Sequence, residues 1–296
     1  MRTSPTVRLS VTGPRLAPSL LVTSCLASLA LAALPAGEAH AERGEITEQT
    51  PYTLQPREVR VGLTDVSLGL FGHPLLRRTE IGTRPIAWIP SLLGVPSYDV
   101  RAKVELWRDA DLSLAVGVEH MRVDLSAFLK DEENGSKATF SITPIEGWAG
   151  IRLGERLRLN GGGIFTVVSF DGETMRGPLD KLGGAVGTSN LQVRGNLDFK
   201  VSPAIHLIAG GQWIVAQKQY VEAMGEEGGG KGTTTVEYDL MGLGDKAWSA
   251  SGELHVTWAH TNLRLGLEYG YYSVPLVNFV VPVKGYMPVL DLYWRI

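Results

Sequence analysis

The chain has 296 residues, a formal net charge of −3, 44% hydrophobic residues and one cysteine. This composition excludes a disordered chain and a helical membrane bundle, and the acidic balance disfavours nucleic acid as a partner. The only cysteine, Cys25, lies in the N-terminal stretch that we interpret below as a cleaved signal peptide, so the mature chain has no thiol for disulfides, thiolate metal sites or cysteine catalysis.

Residues 1–41 have the organisation of a secretory signal peptide. Three arginines in the first 15 residues precede an Ala/Leu-rich apolar stretch, and Ala39-His40-Ala41 forms a small-x-small cleavage pattern. We therefore expect cleavage before Glu42, which leaves residues 42–56 as a short periplasmic N-terminal segment. The alternatives are an uncleaved membrane anchor and lipidation at Cys25. No later apolar run reaches the roughly 18 residues of a spanning helix, so a membrane-embedded mature chain must cross as strands of a closed barrel.

The rest of the chain repeats one pattern, an alternation of apolar and polar residues with period two. In the first clear run, Tyr98, Val100 and Ala102 alternate with Asp99 and Arg101. Further runs occupy residues 112–118, 156–167, 191–201, 205–215, 248–258, 263–271 and 290–296. Most of these runs are long enough for tilted transmembrane strands, which need roughly 9–11 residues.

The connections between the runs alternate in length. Short turns fall near residues 109–111, 154–155, 202–203 and 259–261, and longer polar loops cover residues 126–136, 171–189 and 218–246. Short turns on one side and long loops on the other are the layout of outer-membrane barrels. Two further strands are predicted at 58–71 and 79–88. Residues 57–296 are predicted to form an all-β, antiparallel transmembrane β-barrel with an even number of strands, for which we favour 12 and keep 10 as the alternative.

Alternation alone does not say which face is buried, because a soluble lipocalin-like barrel alternates too. The aromatic residues favour the membrane barrel, since they fall into two bands near the two ends of the strands. Trp107, Trp258 and Trp294 lie near short turns or the C-terminus, and Trp248, Tyr269 and Tyr271 lie towards the long loops. We predict that these six residues form interfacial girdles in contact with outer-membrane lipid.

The C-terminus carries a family resemblance. Leu290, Leu292, Trp294 and Ile296 alternate up to the last residue. In this strand, the signal peptide and the hairpin pattern, the chain resembles Gram-negative outer-membrane β-barrel proteins, although it ends in Ile296 where that class usually has an aromatic residue. The resemblance implies residence in the cell outer membrane and recognition of residues 290–296 by the barrel-assembly machinery.

Charged residues recur on the face predicted to line the lumen. They are Arg101, Lys103, Glu105, Arg156, Arg158, Arg194, Asp198, Lys200, Glu253, His255, Arg264 and Glu268. One interpretation is a constriction that selects anions. The other is a set of paired side chains that fills a narrow lumen.

The chain offers little that predicts catalysis. Ser251, Glu253 and His255 share one strand face, but same-face neighbours lie about 7 Å apart, too far for a working triad. Residues 225–231 approach a phosphate-binding loop but lack its Ser or Thr and its flanking strand and helix. We predict no enzyme, no metal site and no cofactor. The predicted function is a porin-like small channel or passive transport barrel, and the alternatives are a structural barrel with partner-binding loops and a barrel lipid hydrolase.

Overall fold

A computed structural model describes residues 47, 49–63, 65–70, 78–128, 137–176, 180–227, 230–238, 247–258, 260–271, 273–274, 279–280 and 284–296. The predicted signal peptide lies outside these residues. The strands are β1 (Val59–Gly62), β2 (Val66–Gly69), β3 (Thr79–Thr83), β4 (Ser97–Arg108), β5 (Leu112–Asp124), β6 (Lys137–Arg152), β7 (Leu157–Arg176), β8 (Asp180–Ser202), β9 (Ile205–Glu227), β10 (Gly230–Tyr238), β11 (Trp248–Trp258), β12 (Thr261–Gly270), β13 (Ser273–Val274), β14 (Phe279–Val280) and β15 (Gly285–Arg295). Short helices are the 3-10 turns Pro85–Trp88 and Leu125–Phe128 and the α-helix Ile89–Leu92.

Twelve of these strands close into one antiparallel barrel, as predicted. Each pairs with its neighbours in chain order from β1 to β9, followed by β11, β12 and β15, and β15 pairs back to β1. The closing pairs join Arg60 to Arg295 and Gly62 to Tyr293. The prediction of an antiparallel barrel with 12 strands is therefore confirmed, and the C-terminal strand closes it.

Two of the predicted long loops are extensions of strands. β7 and β8 stay paired as far as Arg176 and Asp180, and β9 pairs with β10 from Gln219 to Glu227. β10 pairs with β9 alone among the described strands, so this hairpin projects beyond the barrel wall. Residues 239–246 of the predicted loop lie outside the described part of the chain.

The alternation in β4 shows why the wall has a polar inside and an apolar outside. Asp99, Lys103 and Glu105 are buried, whereas Tyr98 and Val100 are exposed. A register shift between Glu105 and Trp107 breaks the strict period. This β-bulge turns the Trp107 ring outwards and the next side chain, Arg108, inwards. An exposed apolar face around a closed antiparallel sheet is the arrangement of a transmembrane barrel.

The N-terminal wall differs from the prediction. Residues 58–71, expected as one strand, form the β1–β2 hairpin, and residues 79–88 form β3 followed by a 3-10 turn. Pro85 is at the first turn of this helical segment, where its missing N–H is tolerated. No helix in the described residues is both long and apolar enough to cross a bilayer.

A close approach inside the wall yields a prediction about Gly162. A β-carbon at Gly162 would overlap Gly147 O and lie 2.5 Å from Trp148 Cε3, and the Trp148 ring is buried in the interior. We expect Gly162→Ala to lower the free energy of unfolding by about 1–3 kcal/mol, the usual cost of overpacking. Gly161→Ala is the matched control, because the nearest atom to its β-carbon is Arg194 O at 3.8 Å. Urea unfolding of the two variants should separate them, and equal stabilities would contradict the assigned clash.

Candidate functional site in the barrel interior

Residues 47 and 49–55 of the N-terminal segment lie inside the barrel. Thr47, Thr50, Tyr52 and Leu54 are all buried. We call residues 47 and 49–55 the plug segment. The segment fits in the lumen because the barrel interior supplies hydrogen-bond partners for its backbone and space for its side chains, all of which are uncharged.

Three interior side chains hold the backbone of the plug segment. Lys103 Nζ donates to Thr47 O (2.5 Å) and to Tyr52 O (2.7 Å). On the same side, Leu54 N–H donates to Glu80 Oε2 (3.2 Å). From β8, Asn196 Nδ2 donates to Gln49 O (3.1 Å). The plug segment is thus attached to strands on different sides of the lumen.

Packing against the wall completes the attachment. The Tyr52 ring contacts two guanidinium groups, with Arg108 Cζ 5.0 Å and Arg158 Cζ 5.5 Å from its centroid. Such cation–π contacts are stronger when desolvated, and Tyr52 is buried. Gly150 leaves room for the ring of Pro51, because a β-carbon at residue 150 would lie 2.7 Å from Pro51 Cγ.

The basic side chains predicted to line the lumen are engaged by protein groups. Arg101 Nη2 lies 2.9 Å from Asp65 Oδ2 and 3.4 Å from Glu80 Oε1. Arg264 Nη2 lies 2.6 Å from Glu253 Oε2. The remaining basic residues have partners of other kinds: Arg194 donates to Gln192 Oε1 (2.8 Å), Arg158 stacks on Tyr52, and Lys103 binds the plug segment.

Arg156 does not belong to the interior. It is exposed in the short connection between β6 and β7, one residue before β7 begins at Leu157. Its side chain therefore extends past the end of the wall, although it has the same parity as Arg158. Lys200, at the same end of β8, is half-buried.

A row of buried polar rings follows the inner face of the wall from β8 to β1 near the short turns. His206 Nδ1 lies 2.8 Å from Asp198 Oδ1, and the His206 and His255 ring centroids are 5.8 Å apart. His255 Nε2 and Tyr293 Oη are 3.2 Å apart. The Tyr293 ring in turn lies 4.2 Å from Arg60 Cζ. This row lines the wall at the end that the plug segment also occupies.

Ser251, Glu253 and His255 do not have the contacts that a catalytic triad requires. Ser251 Oγ donates to Glu253 Oε1 at 3.4 Å, and the Glu253 carboxylate pairs with Arg264. The His255 ring is directed at Tyr293 instead of Ser251. An acid–imidazole–hydroxyl relay is therefore not formed by these three residues. The described residues also hold no group of three or more His, Cys, Asp or Glu that could bind a metal.

A cavity of about 340 Å³ remains beside the plug segment. Its lining contains five basic and seven acidic side chains, which are Arg84, Arg101, Lys103, Arg194 and Arg264, and Asp65, Glu80, Glu119, Glu146, Glu253, Glu268 and Asp291. The surplus is acidic, which does not match the anion-selecting interpretation. Glu146 accepts from Trp148 Nε1 (2.9 Å) and Glu268 from Ser249 Oγ, and both carboxylates also interact electrostatically with Arg194.

Several interior residues were missed by the sequence analysis. Arg60 is buried and lies 2.9 Å from Asp291 Oδ2 and 3.6 Å from Asp65 Oδ1. From the helical region, Arg84 Nη2 lies 2.8 Å from Glu119 Oε2. The parity of β15 could have identified Asp291, since it alternates with Leu290 and Leu292. No periodicity marks Asp65, which lies in the tight turn of the β1–β2 hairpin.

The aromatic residues predicted for the membrane interfaces divide into two groups. Trp107, Trp248, Trp258, Tyr269 and Trp294 are on the exposed outer face. Tyr271 is half-buried against Ile214 and Ala247. Gly270 has φ 134°, a conformation that ends β12 and turns the next residue out of the alternation, which corrects the expected position of Tyr271.

One turn beside this aromatic band has a perturbed carboxylate. The Asp109 carboxylate accepts hydrogen bonds from Leu112 N–H (2.7 Å), Trp107 Nε1 (3.0 Å) and Asp111 N–H (2.9 Å). These donors favour the charged form and lower the pKa of Asp109 below its usual value. The Trp107 ring is thereby tied to the β4–β5 turn.

Comparisons with known proteins bear on the fold. No protein-family model matches the chain, and no curated protein matches it. Among solved structures, it is similar to the translocator domain of autotransporter NalP from Neisseria meningitidis, with 11% identity and a TM-score of 0.41, over 80% of this chain and 85% of that one. It is also similar to the outer membrane protease OmpT from Escherichia coli, with 7% identity and a TM-score of 0.37, over 81% and 96%. A third similar structure is the CymD monoaromatic hydrocarbon channel, with 9% identity and a TM-score of 0.35, over 88% and 94%. At these identities the likeness concerns the barrel fold alone.

Proposed function

We propose that this protein is a passive small-solute channel of the bacterial outer membrane, closed in its resting state by its own plug segment. The observation that carries the proposal is the cavity of about 340 Å³ beside a segment that only non-covalent contacts hold in the lumen. Release of the segment would join this cavity to the periplasmic end of the barrel. The transported solute would then pass where Tyr52 now contacts Arg108 and Arg158.

The charge of the lining supports a preference for cations. Because acidic side chains stay in surplus even when Arg60, the partner of Asp65 and Asp291, is counted, the field in the cavity favours positive solutes. Glu146 and Glu268 contribute most directly, since each accepts a hydrogen bond from a neutral donor and neither forms a close ion pair among the described residues. This proposal replaces the anion-selecting constriction considered from the sequence.

Planar-bilayer recordings test both parts of the proposal. We expect rare openings of small conductance, with a reversal potential in a KCl gradient that shows cation preference. In Glu146→Gln/Glu268→Gln, the preference should fall by about two- to threefold per carboxylate, the effect of roughly 0.6 kcal/mol for a unit charge at about 7 Å in water. Lys137→Gln, at an exposed end of β6, is a charge-changing control outside the cavity.

Two outcomes would overturn the proposal. A protein that folds in the bilayer but stays electrically silent would favour the alternative, a sealed structural barrel whose extended hairpins bind surface partners. The network of interior ion pairs is the observation that favours this alternative. Conductance with a preference for anions would contradict the assignment of the cavity charges.

The C-terminal strand has its own proposed role in assembly. Trp294 and Ile296 are exposed on the outer face, and Ile296 N–H donates to Val59 O (2.9 Å) where the barrel closes. We propose that residues 290–296 are read by the barrel-assembly machinery before this closure forms. Deletion of residues 294–296 should therefore reduce the amount of folded protein in the outer membrane more than it reduces refolding in detergent.

A further inference from the structure

Three neighbouring strands of the wall are much shorter than the strands on either side. β1, β2 and β3 contain four, four and five residues, whereas β15 and β4 contain 11 and 12. β1 pairs with β15 through residues 293–295, and the chain turns back where Leu63 N–H donates to Leu292 O (3.1 Å). Among the described strands, residues 285–291 of β15 pair with β12 alone. Within the described part of the chain, the wall is therefore incomplete in the half of the membrane next to the long connections.

The backbone of β15 identifies one edge of this gap. Ile296 N–H donates to Val59 O, and Leu292 O accepts from Leu63, so the even-numbered residues turn their backbone groups towards β1. Along β15 from Leu292 towards Gly285, the even-numbered residues keep this orientation, so the nitrogen of Pro288 and the N–H of Leu290 point into the gap. A proline at that position lacks the donor that an edge would expose, which is a common way to protect an unpaired edge.

The opposite edge is the helical segment from Pro85 to Leu92. Ser91 Oγ donates to Ser97 O (2.8 Å), which attaches the segment to the upper part of β4. Leu92 and Leu93 are 85% and 75% exposed, and Trp88 and Ile89 are exposed as well. From β15 to β4 there are four strand spacings, about 19 Å in all. A helix with its side chains is about 10 Å wide, so the segment covers about half of this distance.

The interior cavity reaches both edges of the gap. Its lining includes Arg84 beside the helical segment and Asp65 at the top of the β1–β2 hairpin. On the other edge it includes residues 287–291, among them Leu290, whose side chain is 60% exposed on the outer face. The backbone groups of Leu290 face the gap, so a cavity that contacts Leu290 reaches this edge of β15.

We infer that this gap is a lateral window through which amphiphiles of the surrounding lipid layer reach the cavity. Unpaired backbone groups at membrane depth are costly unless they border a polar cavity, which the gap provides. The edges present Tyr286, Leu290, Leu92 and Leu93 to lipid, and the interior presents the Arg84–Glu119 and Arg60–Asp291 pairs. An acyl chain fits between the edges, and its polar head fits among the charges behind them.

Quenching by brominated lipid tests the window directly. In a Cys25→Ser background, Val289→Cys is labelled with bimane and the protein is placed in phosphatidylcholine vesicles with brominated acyl chains. Ile164→Cys is the matched control, because it lines the same cavity and lies as far from the start of β7 as Val289 lies from the C-terminus. Its strand is paired on both sides. We expect several-fold stronger quenching at Val289 than at Ile164.

Equal quenching at the two sites would overturn the window, since lipid would then be no closer to β15 than to a complete wall. Met287→Cys and Thr166→Cys form a second matched pair, which keeps the test decisive if one of the first variants fails to fold. Heat-modifiable migration on a gel identifies the folded variants. The quenching result does not depend on conductance. An electrically silent protein with strong quenching at Val289 would therefore contradict the proposed channel function and support the lateral window.

Discussion

Lys103→Met should release the plug segment and raise the open probability of the channel about 100-fold. The substitution keeps the volume of the side chain but removes the donor to Thr47 O and Tyr52 O. Each hydrogen bond to a charged group contributes about 1.5–3 kcal/mol, and a buried carbonyl left unpaired is costly. A loss of about 3 kcal/mol in the docked state corresponds to roughly two powers of ten in the undocked population.

Two measurements check the release. Single-channel recordings give the open probability, and a Thr50→Cys reporter in a Cys25→Ser background gives the rate at which a water-soluble thiol reagent reaches the segment. Thr50 is buried in the docked state, so faster modification means undocking. Lys137→Met, an exposed lysine with no contact to the plug segment in the described structure, is the control. Faster modification without any conductance would show that the segment moves in a barrel that remains sealed.

Arg60→Met should lower the free energy of unfolding by about 3–5 kcal/mol, the usual cost of breaking a buried ion pair from one side. Arg60 is 1% exposed, pairs with Asp291 (2.9 Å) and donates to Thr47 Oγ1 (3.3 Å). It also stacks on the Tyr293 ring. The residue therefore connects β1, β15 and the plug segment at the closure of the barrel, and its loss leaves a buried carboxylate beside an apolar side chain.

Urea unfolding in lipid vesicles measures this loss. The double variant Arg60→Met/Asp291→Asn is the informative control, because it removes the charge that the single variant leaves behind. We expect the double variant to recover part of the lost stability. If the single and double variants unfold at the same urea concentration, the ion pair does not contribute to the closure, and the stacking on Tyr293 becomes the main role of Arg60.

The plug segment and the incomplete wall lie close together, and both involve Arg60. This residue contacts Thr47 of the segment and Asp291 at the lower end of the gap. A change in the segment can therefore alter the β1–β15 closure directly. The Arg60→Met variant should be examined for bimane quenching at Val289 as well as for stability, since a weakened closure would bring lipid nearer to the label.

The sequence alone determined the architecture of the wall. Period-two alternation is a local property of a strand with one lipid face and one lumen face, so it can be read from each run separately. The same parity identified the interior positions of Lys103, Glu253 and Arg264, because inward and outward residues alternate without regard to distant contacts. The closing C-terminal strand and most of the twelve strands followed from these local patterns, whereas β6 and the division of residues 58–71 into β1 and β2 did not.

Only the tertiary structure decided what occupies the lumen and where the wall is incomplete. Thr47 and Tyr52 lie in a segment without an alternating pattern. Their burial depends on contacts with Lys103 and Arg158, which are far away in the chain. The exposed position of Arg156 depends on where the wall ends, which its parity does not specify. The balance of interior charges likewise depends on which side chains meet across the lumen. Alternation determines the face of a residue, but the closure of the barrel determines its partners.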